Sequence, residues 1–131
     1  MIEFFLDTRS GVAPYLQVVQ QVRHAIRLGV LRKGDQLPTV KDVVARLAIN
    51  PNTVLKAYRD LEREGLVRAR PGMGTFVVGQ LPRTDPAAQG RFRRSLAEWL
   101  RKARAAGLSA DEIEAIYRTA ARDEFAGEEI A

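Results

Sequence analysis

Apolar residues recur at three- and four-residue spacing over five stretches of the chain and at two-residue spacing over one, and these periods lay out its elements. Tyr15, Leu16, Val19, Val22, Ala25 and Ile26 form one face of a first helix, with Pro14 suited to its first turn and Gly29 to its stop. The connector LRKGDQLP, residues 31–38, leads to a second helix. Thr39 and Asp42 have the spacing of a capping box there, and Val40, Val43, Val44 and Leu47 give the inward face. NPN at 50–52 requires a stop near Ala48; Val54, Ala57, Tyr58 and Leu61 then restart the helical period, which Gly65 ends.

After Gly65 the period shortens. LVRAR (66–70) and TFVV (75–78) flank PGMG (71–74), which predicts a β-hairpin. QLPRTDPAAQG, residues 80–90, has two prolines and few apolar residues and reads as a linker. Two more helical faces follow: Phe92, Leu96, Trp99, Leu100 and Ala103, then Ile113, Ile116, Tyr117 and Ala120. Ser109 and Glu112 stand at capping-box spacing before the second of these. IEFFL at 2–6 reads either as a strand or as a buried arm.

About three residues, Ala48 to Asn50, separate the second and third helices, and so short a turn forces a sharp angle between them. Helix, helix, turn, helix, hairpin is the order of a winged helix-turn-helix. The fold class is therefore mainly α with a small β-hairpin, followed by a short two-helix tail. NPNTV (50–54) is then a helix start, with Asn50 as N-cap and Pro51 at the first helical position, where a missing N–H costs nothing. Asn50 and Pro51 need no role beyond that. The first turn of such a helix faces the DNA major groove, so Asn52 and Thr53 are the residues placed to read bases. Asn can pair with both polar atoms of an adenine edge, and the Thr methyl can touch a thymine methyl, although its hydroxyl could instead bind phosphate. Lys56 and Arg59 suit phosphate. PGMG could be a plain turn, but Arg68 and Arg70 share a strand face beside it, and Gly72 and Gly74 let backbone approach a groove wall.

Charge sharpens this picture. The net charge is +5, and residues 1–80 hold 12 Lys/Arg against 7 Asp/Glu, whereas residues 81–131 hold nine of each. The excess thus lies wholly with the predicted winged helix, which favours a polyanion partner. With no Cys and a single His, His24, the chain has no disulfide framework, no thiolate site and no histidine cluster. No cofactor is called for, and nothing marks an enzyme. A winged helix used only for protein contact is the competing reading. No apolar run approaches a membrane span, and MIEFFLD lacks a basic leader, so the expected compartment is the cytoplasm.

The stretch LPTVKDVVARLAINPNTVLKAYRDLEREGLVRARPGMGTFVV resembles the DNA-binding domain of GntR-family transcription regulators, and the likeness spans roughly residues 12–79. NPNTV followed by KAY, the short chain and the two-helix tail resemble the YtrA-type subgroup. The resemblance implies a dimeric winged helix that binds operator DNA, usually as a repressor. It also implies phosphate or groove contacts from Thr39 and Lys41, where relatives usually carry Ser and Arg, and from the wing glycine, Gly72. Lys41 keeps the charge but not the two-pronged donor of Arg. Pro51 stands where many relatives have Arg, so that contact is lost here.

The expected organisation is a DNA-binding domain at 1–80, a linker at 81–90 and a helical dimerisation tail at 91–131. Two helices of this size bury little alone, so Leu96, Trp99, Leu100, Ile113, Ile116 and Tyr117 are expected at a homodimer interface, mainly within 91–125. The alternative is that they pack back on their own winged helix. A two-fold dimer implies an inverted-repeat operator. The residues point to no small-molecule effector.

Overall fold

The computed structural model describes residues 2–82 and 85–129, with side chains through 128. Helices α1 (Pro14–Arg27), α2 (Val40–Leu47) and α3 (Pro51–Arg63) are followed by strands β1 (Val67–Arg70) and β2 (Gly74–Val77), then by α4 (Pro86–Ala105) and α5 (Ala110–Glu129). This is a winged helix-turn-helix with two further helices, as the periodicity predicts. The chain divides into two compact units, Met1–Pro86 and Ala87–Ala131.

In the first unit, Val18 and Val22 of α1, Leu37, Val54 and Leu61 of α3, and Val67 and Val77 of the hairpin are almost wholly buried. Each such side chain contributes about 1.5–3 kcal/mol by leaving water. Phe4, Val43 and Tyr58 belong to the same core, with Val40, Val44 and Leu47 partly buried against it. Leu16, which the periodicity put on the inward face of α1, is instead exposed.

Both predicted N-caps are made. Thr39 Oγ1 accepts from the Asp42 N–H at 3.1 Å, and Asn50 Oδ1 accepts from the Asn52 N–H at 2.8 Å. Between them the chain turns through Ala48, whose φ of 54° is the one positive value at a non-glycine residue among those described. At the end of α3, Gly65 takes the left-handed conformation and Leu66 N–H reaches back to Leu61 O at 3.1 Å.

The hairpin is antiparallel, with Val67 opposite Val77, Arg68 opposite Phe76, Ala69 opposite Thr75 and Arg70 opposite Gly74. Its loop is one residue shorter than the PGMG reading, because Gly74 already belongs to β2. The 31–38 connector is more than a connector. Gly34 N–H donates to Val77 O, Val77 N–H to Asp35 O and Leu37 N–H to Thr75 O, each at 2.8 Å, so residues 34–37 run along the open edge of β2. Gly79, just past β2, passes so close to α3's end that a Cβ there would lie 2.3 Å from Gly65 O.

The N-terminal segment is the arm and not the strand of the two alternatives. Phe4 is buried, and two glutamines of α1 hold the backbone around it. Gln21 accepts from Phe5 N–H at 3.2 Å and donates to Phe5 O at 2.7 Å, while Gln17 accepts from Asp7 N–H at 2.8 Å and donates to Asp7 O at 2.9 Å. Side-chain amides here supply the paired donor and acceptor that a neighbouring strand would otherwise provide.

In the second unit, α4 starts at Pro86, so residues 86–90 are helical and not linker. Pro is well placed in a first turn, and two alanines follow it. Residues 83 and 84 of the expected linker lie outside the described residues. Ser109 and Glu112 form a full capping box: Ser109 N–H donates to Glu112 Oε1 at 2.9 Å, and Glu112 N–H donates to Ser109 Oγ at 3.1 Å. These bonds hold the Glu112 carboxyl below its ordinary pKa.

Candidate nucleic-acid interface

The first turn of α3 carries Asn52 exposed and Thr53 half-buried, directly before Val54, which has no exposed surface. The cap fixes this turn, since Asn50 takes Asn52 N–H by its side chain and Thr53 N–H by its carbonyl at 2.9 Å. The Asn52 side-chain amide itself bonds nothing among the described residues. It is thus a donor–acceptor pair held on a rigid helix start, which is what a base edge requires. Pro51 is exposed at the first position of the helix.

Further along α3, the Lys56 ammonium sits 3.9 Å from the centre of the Tyr15 ring. That contact ties α3 to α1 while leaving Lys56 exposed and its charge unneutralised. Arg59 is exposed. On α2, Lys41 is exposed beside Thr39, whose hydroxyl is committed to its cap as acceptor but keeps its proton to donate.

Tyr58 is core, as its spacing predicts, but its hydroxyl has a role that spacing did not reveal. It donates to Pro38 O at 2.6 Å, one residue before the α2 cap. Burial raises the phenol well above the usual tyrosine range, and the Asp42 carboxylate adds to the rise. Tyr58 therefore stays neutral and holds α2 by its start.

In the wing, Arg68 and Arg70 are exposed, Phe76 stands opposite Arg68, and the Arg70 guanidinium lies 5.1 Å from that ring's centre. Gly72 stands at the tip with φ of 74°. Two residues outside the sequence-based set hold the hairpin in place. Glu62 of α3 accepts from Ala69 N–H at 2.7 Å, and Gln36 donates to Met73 O at 3.2 Å. Gln36 lies so close to β2 that a Cβ on Gly74 would be 2.5 Å from its Nε2. A glutamate late in a polar helix face gives no sequence signal, because its partner exists only once the hairpin has folded back.

Ion pairs take up some of the basic residues and leave others, Arg27, Arg32 and Lys33 included, without a carboxylate among the described residues. Arg23 pairs with Glu64 at 3.0 Å, Arg46 with Glu3 at 2.9 Å and Arg63 with Asp60 at 3.2 Å. Lys41, Lys56, Arg59, Arg68 and Arg70 have no acidic partner among the described residues, although Asp42 adjoins Lys41 in sequence. The described residues hold no His/Cys/Asp/Glu cluster fit for a metal and no helix long and apolar enough to cross a membrane. His24 is an exposed residue of α1.

On the tail, Leu96, Trp99, Leu100, Ile116 and Tyr117 are exposed, from 39% for Leu100 to 66% for Tyr117, and Ile113 is partly covered. Phe92 and Phe125 are exposed too. Near their connection, Leu100, Arg101 and Arg104 of α4 and Ala110 and Ile113 of α5 line a common groove, and Ala103 is buried.

Comparison with known proteins bears on both units. Residues 14–77 match the family model described as "Bacterial regulatory proteins, gntR family". The HTH-type transcriptional repressor YtrA of Bacillus subtilis (strain 168) is 40% identical over 72 residues, 55% of this chain and 55% of that protein, so the match spans about half of that relative. The HTH-type transcriptional regulator Rv1152 of Mycobacterium tuberculosis is 36% identical over 104 residues, 79% of this chain and 82% of that protein. The crystal structure of AraR(DBD) in complex with operator ORX1 superposes with a TM-score of 0.51 at 27% identity, covering 57% of this chain and 93% of that one.

Proposed function

The chain belongs to the gntR family of bacterial regulatory proteins and is a DNA-binding transcription regulator, and from that membership we propose that it is a dimeric repressor acting on an inverted-repeat operator. The carrying observation is the pattern of charge around the start of α3. Arg23, Arg46 and Arg63 are matched by carboxylates, whereas Lys41, Lys56, Arg59, Arg68 and Arg70, like Arg27, Arg32 and Lys33, have no carboxylate partner among the described residues, and the first five gather on α2, α3 and the wing, where phosphates can take them. They surround, in sequence and on the same two elements plus the wing, a polar helix start with an uncommitted amide on Asn52.

In this reading the five cations neutralise phosphates, Thr39 donates its hydroxyl to another, and the Gly72 tip lets the wing lie close to the groove. Asn52 and Thr53 read bases. Pro51 brings no charge to the turn, so discrimination rests on neutral side chains and the phosphate contacts fix position. Two subunits joined through Leu96, Trp99, Leu100, Ile113, Ile116 and Tyr117 present their α3 helices to half-sites about 34 Å, one helical turn, apart. Occupancy of such a site in a promoter blocks transcription, the mode named for the Bacillus repressor. The cytoplasm is the matching compartment.

Selection of bound sequences from random DNA tests this directly. An enriched inverted repeat is expected, and Asn52→Ala should relax preference at one position in each half-site while Lys56→Ala weakens all sequences alike. An unchanged preference in Asn52→Ala overturns the base-reading assignment. No salt-dependent binding to any sequence overturns the whole reading in favour of a protein-contact module.

A further inference from the structure

A cleft of about 460 Å³ lies in the first unit, between the end of α1, the 31–38 connector and the segment that follows β2. Its floor is apolar: Ile26 and Leu31, both buried, and Leu81, partly buried, with bare main chain at Gly29 and Gly79. Its rim is Arg32, Lys33 and Gln80, all exposed, and no acidic residue lines it. The two cations have no duty elsewhere in the fold. The last carbonyls of α1 do not need them, because Leu28, Gly29 and Leu31 N–H groups donate to His24, Ile26 and Ala25 O at 2.9, 3.1 and 3.0 Å. Asp35 accepts from the Arg32 backbone N–H at 2.9 Å and ion-pairs with neither side chain. The Gln80 amide bonds nothing among the described residues. Gly34 N–H donates to Val77 O at 2.8 Å, which sets Arg32 and Lys33 beside the root of the hairpin, the end away from the Gly72 tip.

We propose that this cleft binds a small carboxylate with an apolar body and acts as an effector site within the winged helix itself. The body lies on Ile26, Leu31 and Leu81, the carboxylate meets the Arg32 guanidinium and the Lys33 ammonium, and the Gln80 amide is a further donor. An apolar floor with a few polar groups at one edge is the usual make-up of a small-ligand site, and the volume falls in the range of about 300–1,000 Å³ that such sites occupy. Charge sets the class of ligand: two unmatched cations favour an anion, and the planar fork of an arginine fits the two oxygens of a carboxylate. The segment that carries Gly79, Gln80 and Leu81 leads into α4 at Pro86. A ligand that ties this segment to α1 and the connector therefore restricts how α4 departs. Binding follows from the cleft alone; its consequence for operator affinity rests on the dimer reading.

Titration of the isotopically labelled full chain with octanoate, followed through its amide resonances by NMR, tests the site. Saturable shifts centred on Gly29, Arg32, Lys33, Gly79 and Gln80 are expected, with a dissociation constant on the order of 1 mM for so small a probe. Arg32→Gln with Lys33→Gln should weaken octanoate about tenfold, and octanamide, which lacks the charge, should bind parent and variant equally weakly. Both substituted side chains are exposed, so the variant should keep the parent's core resonances. Shifts confined to the exposed faces of α4 and α5, or equal octanoate affinity in parent and variant, overturn the site. Octanoate should also change the parent's operator affinity about fivefold or more and leave the variant's unchanged. No change in the parent overturns the effector role. A shallower salt slope for DNA in the variant without octanoate assigns the two cations to phosphates and overturns the proposal. A parent that binds octanoate at these residues but binds no DNA overturns the regulator reading and supports the site, so the two failures are told apart.

Discussion

The hydroxyl of Tyr58 ties the third helix to the segment that begins the second. Tyr58→Phe keeps the ring in the core but leaves Pro38 O without its donor, and the expected loss is about 1–2 kcal/mol by chemical denaturation. The same bond has a pH signature. Burial raises the phenol in the folded state, so its contribution is fully present below the unfolded pKa of about 10 and is lost as pH rises beyond it. Above that point the unfolded chain releases a proton that the folded chain keeps, and stability should fall by about 1.4 kcal/mol per pH unit from this group. Tyr58→Phe should flatten the alkaline limb of the stability curve by that slope; equal limbs in the two proteins would remove the assignment. Ala48 makes a second residue-scale case. Its left-handed conformation costs an alanine about 1 kcal/mol. Glycine removes that strain but adds unfolded-state freedom of about 0.4–1 kcal/mol, so Ala48→Gly should leave stability within about 0.5 kcal/mol. Ala48→Val should lose about 1–2 kcal/mol, because a β-branched residue fits that region worst.

Among the elements, the wing depends most on residues outside itself. Its backbone is fastened by Glu62 from α3 and by Gln36 from the connector, and its exposed arginines act only where that fastening puts them. Glu62→Ala should therefore weaken binding to every sequence without shifting base preference. The salt slope should fall by up to about 1.8 for each bound subunit, about 3.6 for the dimer, if both Arg68 and Arg70 disengage, at about 0.9 for each phosphate contact. Measured affinities across a salt series check this, with Arg68→Ala/Arg70→Ala as the limiting case. The contrast between such fastenings and the caps explains what the sequence discloses. Thr39 with Asp42, Asn50 with Asn52, and Ser109 with Glu112 satisfy partners within three residues, so their spacing announces them. The core face of α3 is legible for the same reason. The edge pairing of residues 34–37, the hold of Gln17 and Gln21 on the arm, and Glu62 on Ala69 join residues brought together only by folding. Nothing local in LRKGDQLP or IEFFL distinguishes those partners from solvent. Pro86 begins a helix, as Pro14 and Pro51 do, although a proline in the polar stretch 80–90 reads locally as linker.

For the whole molecule, the proposed reading gives the first of the two compact units the DNA and the second the partner subunit. The buried apolar cluster runs from Phe4 to Val77, with Leu81 packed on its edge, so it needs nothing from α4 or α5. A chain cut after Asp85 should consequently keep a cooperative unfolding transition. What it should lose is the second α3 helix on the same operator. Joining two half-site contacts makes the second an intramolecular event, and such linkage is worth about 10²–10⁴ in apparent affinity. The truncated chain should thus bind a full inverted repeat about a hundredfold more weakly than the whole chain and no better than it binds one half-site. Its salt slope should be about half as steep, because it brings half as many cations to the phosphates.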